Sequence, residues 1–175
     1  VRSSNAATGK AHDMTPPEDA DARPARATDR PAIEALQHDA YAPWIAVSGR
    51  PPLPMRADYA VVLAESETWV VDGPDGRLDA ALILQRQPDA VLIWSIAVRP
   101  GGHGKGLGRR LLTLAEERAR AAGKSLMRLY TNALFQRNRE IYERFGYAVV
   151  REEAIGDDDP PWIVVHMEKR IGHDG

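Results

Sequence analysis

Two groups of residues in this chain have types and spacings that could do chemistry. The first is Val98-Arg99-Pro100-Gly101-Gly102-His103-Gly104-Lys105-Gly106-Leu107-Gly108-Arg109-Arg110-Leu111-Leu112. An apolar run stops at Pro100, five glycines fall within residues 101–108, and a leucine-rich helical pattern begins at once. Glycine lets backbone approach an anion closely, and the first N–H groups of a helix have no partner within it, so several donors converge on one point. Lys105, Arg109 and Arg110 add full positive charges. The second group is Asn138-Arg139-Glu140-Ile141-Tyr142-Glu143-Arg144-Phe145-Gly146-Tyr147. On a helix, Asn138 and Tyr142 share a face one turn apart, Glu140 with Arg144 and Arg139 with Glu143 form solvent-side pairs, and Gly146 is a stop.

Two familiar phosphate loops do not fit the glycine run. A dinucleotide fingerprint needs G-x-G-x-x-G, but after Gly104 and Gly106 the third glycine arrives one residue early, at Gly108. The acidic ribose ligand is also missing, because the next strand ends in Thr131-Asn132. A nucleotide-triphosphate loop needs G-x-x-x-x-G-K-[ST], which would put Arg99 at the first glycine and Gly106 at the hydroxyl. What remains is a metal-free nest with a helix dipole behind it.

The two groups together resemble the GCN5-related N-acetyltransferase (GNAT) superfamily. Its acyl-coenzyme A loop, [Q/R]-x-x-G-x-[G/A] after V-x-P, is matched by His103 to Gly108 after Val98-Arg99-Pro100, with His103 in place of Gln or Arg. Its second signature, N-x-x-x-Y-x-x-x-G-[FY], is matched from Asn138 to Tyr147. The resemblance implies that acetyl-CoA is the acyl donor and that Tyr142 is the general acid for the departing thiolate. It also implies a cofactor site made from Ile96, Ala97, Val98, His103, Gly104, Lys105, Gly106, Leu107, Gly108, Arg109, Asn132 and Asn138. A phenol of pKa about 10 is protonated at neutral pH and not far mismatched to a thiol of about 8.5. An isolated helical tyrosine is more often a core residue, and the upstream glycine run reverses those odds here.

Composition narrows the alternatives. The 175 residues, 43% hydrophobic, suit one compact domain. Residues 1–20, polar and without an apolar period, read as disordered or non-native, leaving 21–171 as a single acetyltransferase domain. A net charge of −2, with basic residues gathered at Arg99–Arg110 and Arg118–Arg128, suits an anionic cofactor better than nucleic acid. There is no cysteine for a covalent acyl-enzyme or a thiolate metal site, which favours direct transfer in a ternary complex. The histidines at 12, 38, 103, 166 and 173 lack metal-ligand spacing, so no metal is expected. With no apolar run of about 20 residues and no signal-peptide core, no membrane association is expected and the cytoplasm is the expected compartment. A homodimer is compatible with these readings.

The elements that must position these groups follow from apolar period and turn signals. A short strand over 22–27 leads to a helix opened by Thr28-Asp29-Arg30-Pro31 and running to about Tyr41, with Ile33, Leu36 and Ala40 as its stripe. A turn at Pro43-Trp44-Ile45 and a loop over 49–54 precede a second helix over 56–65. Strands over 68–72 and 77–85 are joined by Gly73-Pro74-Asp75-Gly76. Further strands are read over 90–98, 125–132, 147–153 and 162–169, and a helix over 106–122. This order implies an α/β (α+β) GNAT fold, a mixed, mostly antiparallel sheet of six to seven strands with a splayed parallel pair and about four helices. In that fold the strand over 90–98 carries a bulge, here expected at Ser95 and Ile96, and the exposed backbone nearby pairs with pantetheine amides. His38 and His166 are read as partly buried structural residues.

The acceptor side is the open question. Many relatives hold a Glu near the bulge to take a proton from the attacking amine, and Trp94 stands in that neighbourhood here. An acceptor of lower pKa, or a water relay through Asp39 or Glu65, would meet the need. Tyr41, Trp44, Arg56, Tyr130 and Trp162, with Arg50 and Tyr59, are the residues that could shape the acceptor pocket. The expected acceptor is a small-molecule amine or a peptide. The competing readings are an acyl-CoA-binding sensor without turnover and a protein acetyltransferase acting on N-termini or lysines.

Overall fold

A computed structural model describes residues 22–102, 106–157 and 161–172. The strands are β1 (Arg23–Pro24), β2 (Glu67–Asp72), β3 (Leu78–Arg86), β4 (Val91–Val98), β5 (Leu126–Asn132), β6 (Ala148–Ile155) and β7 (Trp162–Arg170). The helices are α1 (Arg30–Ser48), α2 (Tyr59–Ala64), α3 (Leu107–Ala121) and α4 (Gln136–Arg144). All seven strands form one sheet in the order β1-β2-β3-β4-β5-β7-β6. Every neighbouring pair is antiparallel except β4 and β5, which are parallel. Among the described residues, the mixed seven-stranded sheet, the parallel pair and the four helices are as the sequence implied.

Two apolar layers sandwich the sheet. On one face Leu107, Leu111, Leu112, Ala115 and Ala119 of α3 pack over Leu82, Leu84, Ile93, Met127, Leu129, Val165 and Met167. They recur at helical spacing, so α3 buries one stripe and exposes its charges. On the other face Ile33 and Leu36 of α1 and Tyr59 of α2 cover Val70, Ala81, Ile83 and Ala97. The two residue sets alternate along β3, as strand geometry requires.

Three expectations are corrected. β1 is only two residues long, and a 3-10 turn over Ala27–Asp29 takes up the rest of the expected strand; Arg23 there bridges Asp29 and Asp72, tying the chain's entry to β2. The turn at Pro43-Trp44-Ile45 does not form; α1 runs through Pro43 and ends at Gly49 in the left-handed region (φ +73°), whose N–H bonds the Ile45 carbonyl. A proline inside a helix costs about 3 kcal/mol, and it is offset here by side chains on either side of it: Tyr41 reaches Ser95, and Trp44 packs on Phe135. α2 starts at Tyr59 rather than 56, because Asp58 is extended and its carboxylate accepts the Ala60 N–H.

Candidate active site

The anion-binding end is set by Gly106. Its φ of +73° turns the chain into α3, where the first intrahelical bond is Arg110 N–H to the Gly106 carbonyl. The N–H groups of Leu107, Gly108 and Arg109 therefore begin the helix without intrahelical acceptors. Leu107 is buried and anchors the turn, while Arg109 and Arg110 line a hollow of about 640 Å³ with Leu111 and Leu114. His103, Gly104 and Lys105, which the sequence assigned to the same site, lie outside the described residues.

Beside this end the sheet opens. β4 and β5 pair only through Val91↔Met127, Leu92↔Arg128 and Ile93↔Leu129. The separation begins at a bulge in β4, which the pairing places at Trp94 rather than at Ser95 and Ile96: Ser95 pairs with Ile83 and Ile93 with Leu84, so Trp94 is the extra residue. The bulge breaks the alternation of side chains. Ile93 and Ile96 face the α3 layer, while Trp94 and Ser95 in succession both face α1 and α2. Arg99 N–H donates to Asp79 on the β3 side. Alternate residues present backbone groups to alternate neighbours, so Ile96 and Val98 turn theirs toward the opening.

Tyr142 stands on α4, half-buried against the α3-side core, its ring edge-on to Tyr147 at 6.2 Å. Burial, and secondarily the Tyr41 phenol, push its pKa well above the ordinary value, so it is fully protonated at neutral pH. Asn138 lies one turn before it on the same helix. Asn132 ends β5 almost fully buried; its Oδ1 accepts the Leu134 N–H at 2.8 Å, and its Nδ2 is a buried donor with no acceptor among the described residues. A buried amide N–H of this kind suits a ligand carbonyl.

On the acceptor side the structure joins some of the expected residues and separates others. Trp44 packs on Phe135 (centroids 4.4 Å), Phe135 meets Trp162 edge-on at 6.3 Å, and the Arg50 guanidinium lies 4.5 Å above the Trp162 ring. Tyr41 reaches the bulge, with its hydroxyl 3.2 Å from Ser95 Oγ and 3.5 Å from the Ile96 carbonyl. Tyr59 is buried, its hydroxyl donating to the Pro54 carbonyl and its ring edge-on to Trp94. Tyr130 is elsewhere, on the outer sheet face against His166 at 4.7 Å, in a separate hollow of about 470 Å³ with Arg128 and Glu168. Arg56 is exposed beyond a 3-10 turn and joins none of these contacts, and Asp39, Glu65 and His38 are exposed as well. His166 is half-buried, bonded to Glu153.

Two residues escaped the sequence reading. Gln37 is fully buried and accepts from Ser95 Oγ at 2.8 Å; its signal was a polar residue one turn beyond Ile33 on the apolar stripe. Phe135 carried no signal, because its aromatic partners come from α1 and β7. Among the described residues no group of three or more His, Asp or Glu side chains could hold a metal ion, and no described helix is long and apolar enough to cross a membrane.

Burial raises Tyr59, Tyr147 and Tyr41 as it raises Tyr142. The stability contributed by four phenols that ionise less readily folded than unfolded is fully present below the unfolded-chain pKa of about 10 and is lost as pH rises beyond it. Denaturant titrations are expected to give a midpoint that falls from about pH 10 upward, with phenolate absorbance appearing together with unfolding.

The acetyltransferase (GNAT) family model matches residues 33–147 of this chain. The chain is 37% identical over 100 residues to the mycothiol acetyltransferase of Beutenbergia cavernae, covering 51% of this chain and 33% of that protein. It is 35% identical over 97 residues to the L-2,4-diaminobutyric acid acetyltransferase of Bordetella parapertussis, covering 51% of this chain and 47% of that protein. The chain thus spans a third to a half of the length of the curated relatives it matches. Among solved structures, the ribosomal-protein-S18-alanine N-acetyltransferase of Escherichia coli superposes with a TM-score of 0.70 at 20% identity, covering 89% of this chain and 96% of that one. A GNAT family acetyltransferase from Elizabethkingia anophelis with acetyl-CoA bound superposes with a TM-score of 0.64 at 13% identity, covering 88% and 100%.

Proposed function

The chain belongs to the acetyltransferase (GNAT) family, and we propose that it transfers an acetyl group from acetyl-CoA to a primary amine by direct attack in a ternary complex. The observation that carries this reading is the opening between β4 and β5, with the backbone of Ile96 and Val98 turned toward it, the N-terminus of α3 following β4 in the chain and the protonated phenol of Tyr142 on the helix that follows β5. The N-terminal amides of α3 with Arg109 suit the pyrophosphate, and the β4 backbone with the Asn132 Nδ2 suits the pantetheine amides.

In the reaction the amine nitrogen bonds to the thioester carbon as the carbon–sulfur bond breaks. The Tyr142 proton goes to the sulfur, and the proton lost by the product nitrogen restores the phenol through solvent. A strongly raised phenol is a weaker acid, but the same burial raises the thiolate it serves, so the two stay matched. The two curated relatives are named for mycothiol and L-2,4-diaminobutyric acid, which supports a small-molecule amine as acceptor.

The test is thiol release from acetyl-CoA across panels of small amines, amino acids and peptides, with calorimetry for donor binding. Turnover with a small amine is the expected result, and turnover confined to peptides would replace it with a protein acetyltransferase. One observation favours a second reading, an acyl-CoA sensor: Trp94 fills the bulge and brings no ionisable group to the acceptor side. Donor binding without release for any acceptor would establish it. The donor site has its own check in Gly108→Asp. A Cβ there meets nothing within 4 Å, and a carboxylate at the start of α3 favours the helix dipole while repelling pyrophosphate. The melting temperature is expected to hold or rise while acetyl-CoA affinity falls about tenfold or more.

A further inference from the structure

We infer that Gln37, Ser95 and Tyr41 form a polarised hydrogen-bond chain whose outer end, the Tyr41 oxygen, accepts an N–H of the attacking amine and so turns the nitrogen lone pair toward the thioester carbon. This rests on the acetyl-transfer reading and assigns Tyr41 as an acceptor-orienting residue, with Ser95 and Gln37 positioning it.

The direction of the chain follows from proton counting. Ser95 has one hydroxyl proton, and it is given to Gln37 Oε1 at 2.8 Å. The 3.2 Å contact between Ser95 Oγ and the Tyr41 hydroxyl is therefore donated by Tyr41, whose other neighbour, the Ile96 carbonyl at 3.5 Å, is also an acceptor. The Tyr41 proton is spent inward, and its oxygen offers only lone pairs to anything arriving from the opening. The place is right for an amine. The Ile96 carbonyl faces the gap between β4 and β5, so a hydroxyl approaching it from α1 stands on the rim of that gap. The influence of Tyr41 on the Tyr142 titration is consistent with the two phenols flanking one space.

The bulge and helix α1 are shaped around this chain. Gln37 and Tyr41 are four residues apart on α1 and stack on one face. The extra residue at Trp94 turns Ser95 toward them instead of into the α3 layer. Gln37 is fully buried, and its Nε2 has no partner among the described residues, a cost that leucine at this position would not carry. The chain ends in an amide, which accepts a hydrogen bond but does not take up a proton at neutral pH, so it orients the amine rather than deprotonating it.

Kinetics on the intact chain test this. Tyr41→Phe keeps the ring and is expected to lower kcat about tenfold or more, with acetyl-CoA affinity unchanged and the melting temperature lower only by the loss of one hydrogen bond, about 2–4 °C. Ser95→Ala is expected to lower kcat in the same direction, and the two together to cost no more than Tyr41→Phe alone. Gln37→Glu supplies a readout that packing would not move. Its carboxylate accepts from Ser95 as the amide does, whereas its protonated form donates and reverses the chain, so kcat gains an ionisation in its pH profile that the parent lacks. Adding Tyr41→Phe is expected to remove that ionisation. A Tyr41→Phe enzyme with parental kcat, or a Gln37→Glu profile parallel to the parent's, overturns the assignment alone. A parent that binds acetyl-CoA and releases no thiol with any amine overturns the acetyl-transfer reading and this assignment with it.

Discussion

Tyr142→Phe is expected to lower kcat by roughly 10²–10⁴ while leaving the acetyl-CoA dissociation constant within about twofold and the fold intact. The substitution removes one oxygen from a half-buried ring that packs edge-on against Tyr147. The ring face supplies the packing and the hydroxyl supplies the proton, so the phenylalanine keeps the first and loses the second. The parent pH profile adds a second signature. Because burial holds the phenol well above its ordinary pKa, no alkaline limb attributable to Tyr142 should appear below about pH 10. Steady-state kinetics over that range, with calorimetry for donor binding, make the check. Equal kcat values for the two proteins would remove Tyr142 from the chemistry.

Leu111→Ala is expected to destabilise the protein by about 2–5 kcal/mol, read as a shift in denaturant midpoint at unchanged m-value. Leu111 is 1% exposed, on the stripe of α3 that covers β3 and β4. Its neighbours come from several strands and cannot all move inward, so much of the vacated volume stays empty. Thr113, two residues on, is exposed with its hydroxyl directed to the Arg109 carbonyl. Thr113→Ala is the matched control, expected within about 0.5 kcal/mol of the parent.

What the chain revealed in advance depended on whether a feature was local. The glycine run and the Asn138–Tyr142 pair are set by neighbours in sequence, and both stand where the residues placed them, apart from the three that are not described. The β2–β3 hairpin was legible for the same reason, since Gly73 to Gly76 specify the turn; a Cβ at Gly73 would lie 2.7 Å from Asp79 Oδ1 and 2.8 Å from the Arg77 carbonyl. The length of α1 was not legible, because Pro43 is a local stop signal outweighed by contacts of Tyr41 and Trp44 with residues 54 and 91 positions away. The bulge was placed one residue late for a related reason. Which residue of β4 is left over depends on its register with β3, and nothing between Ile93 and Ile96 marks Trp94 alone. Tyr130 was drawn toward the acceptor pocket by its type, whereas its register opposite His166, four residues along β7 from Trp162, sets it in a different hollow.

The short parallel seam has a mechanical meaning. With only three residue pairs joining β4 to β5, the sheet is two leaves, β1 to β4 on one side and β5, β7 and β6 on the other, bound along a narrow spine. Few hydrogen bonds join the two leaves, and the apolar layer of α3, which packs over both, carries the rest of their connection. A guest chain lying along both lips would extend that seam, joining the leaf that leads to the phenol to the leaf that carries the bulge.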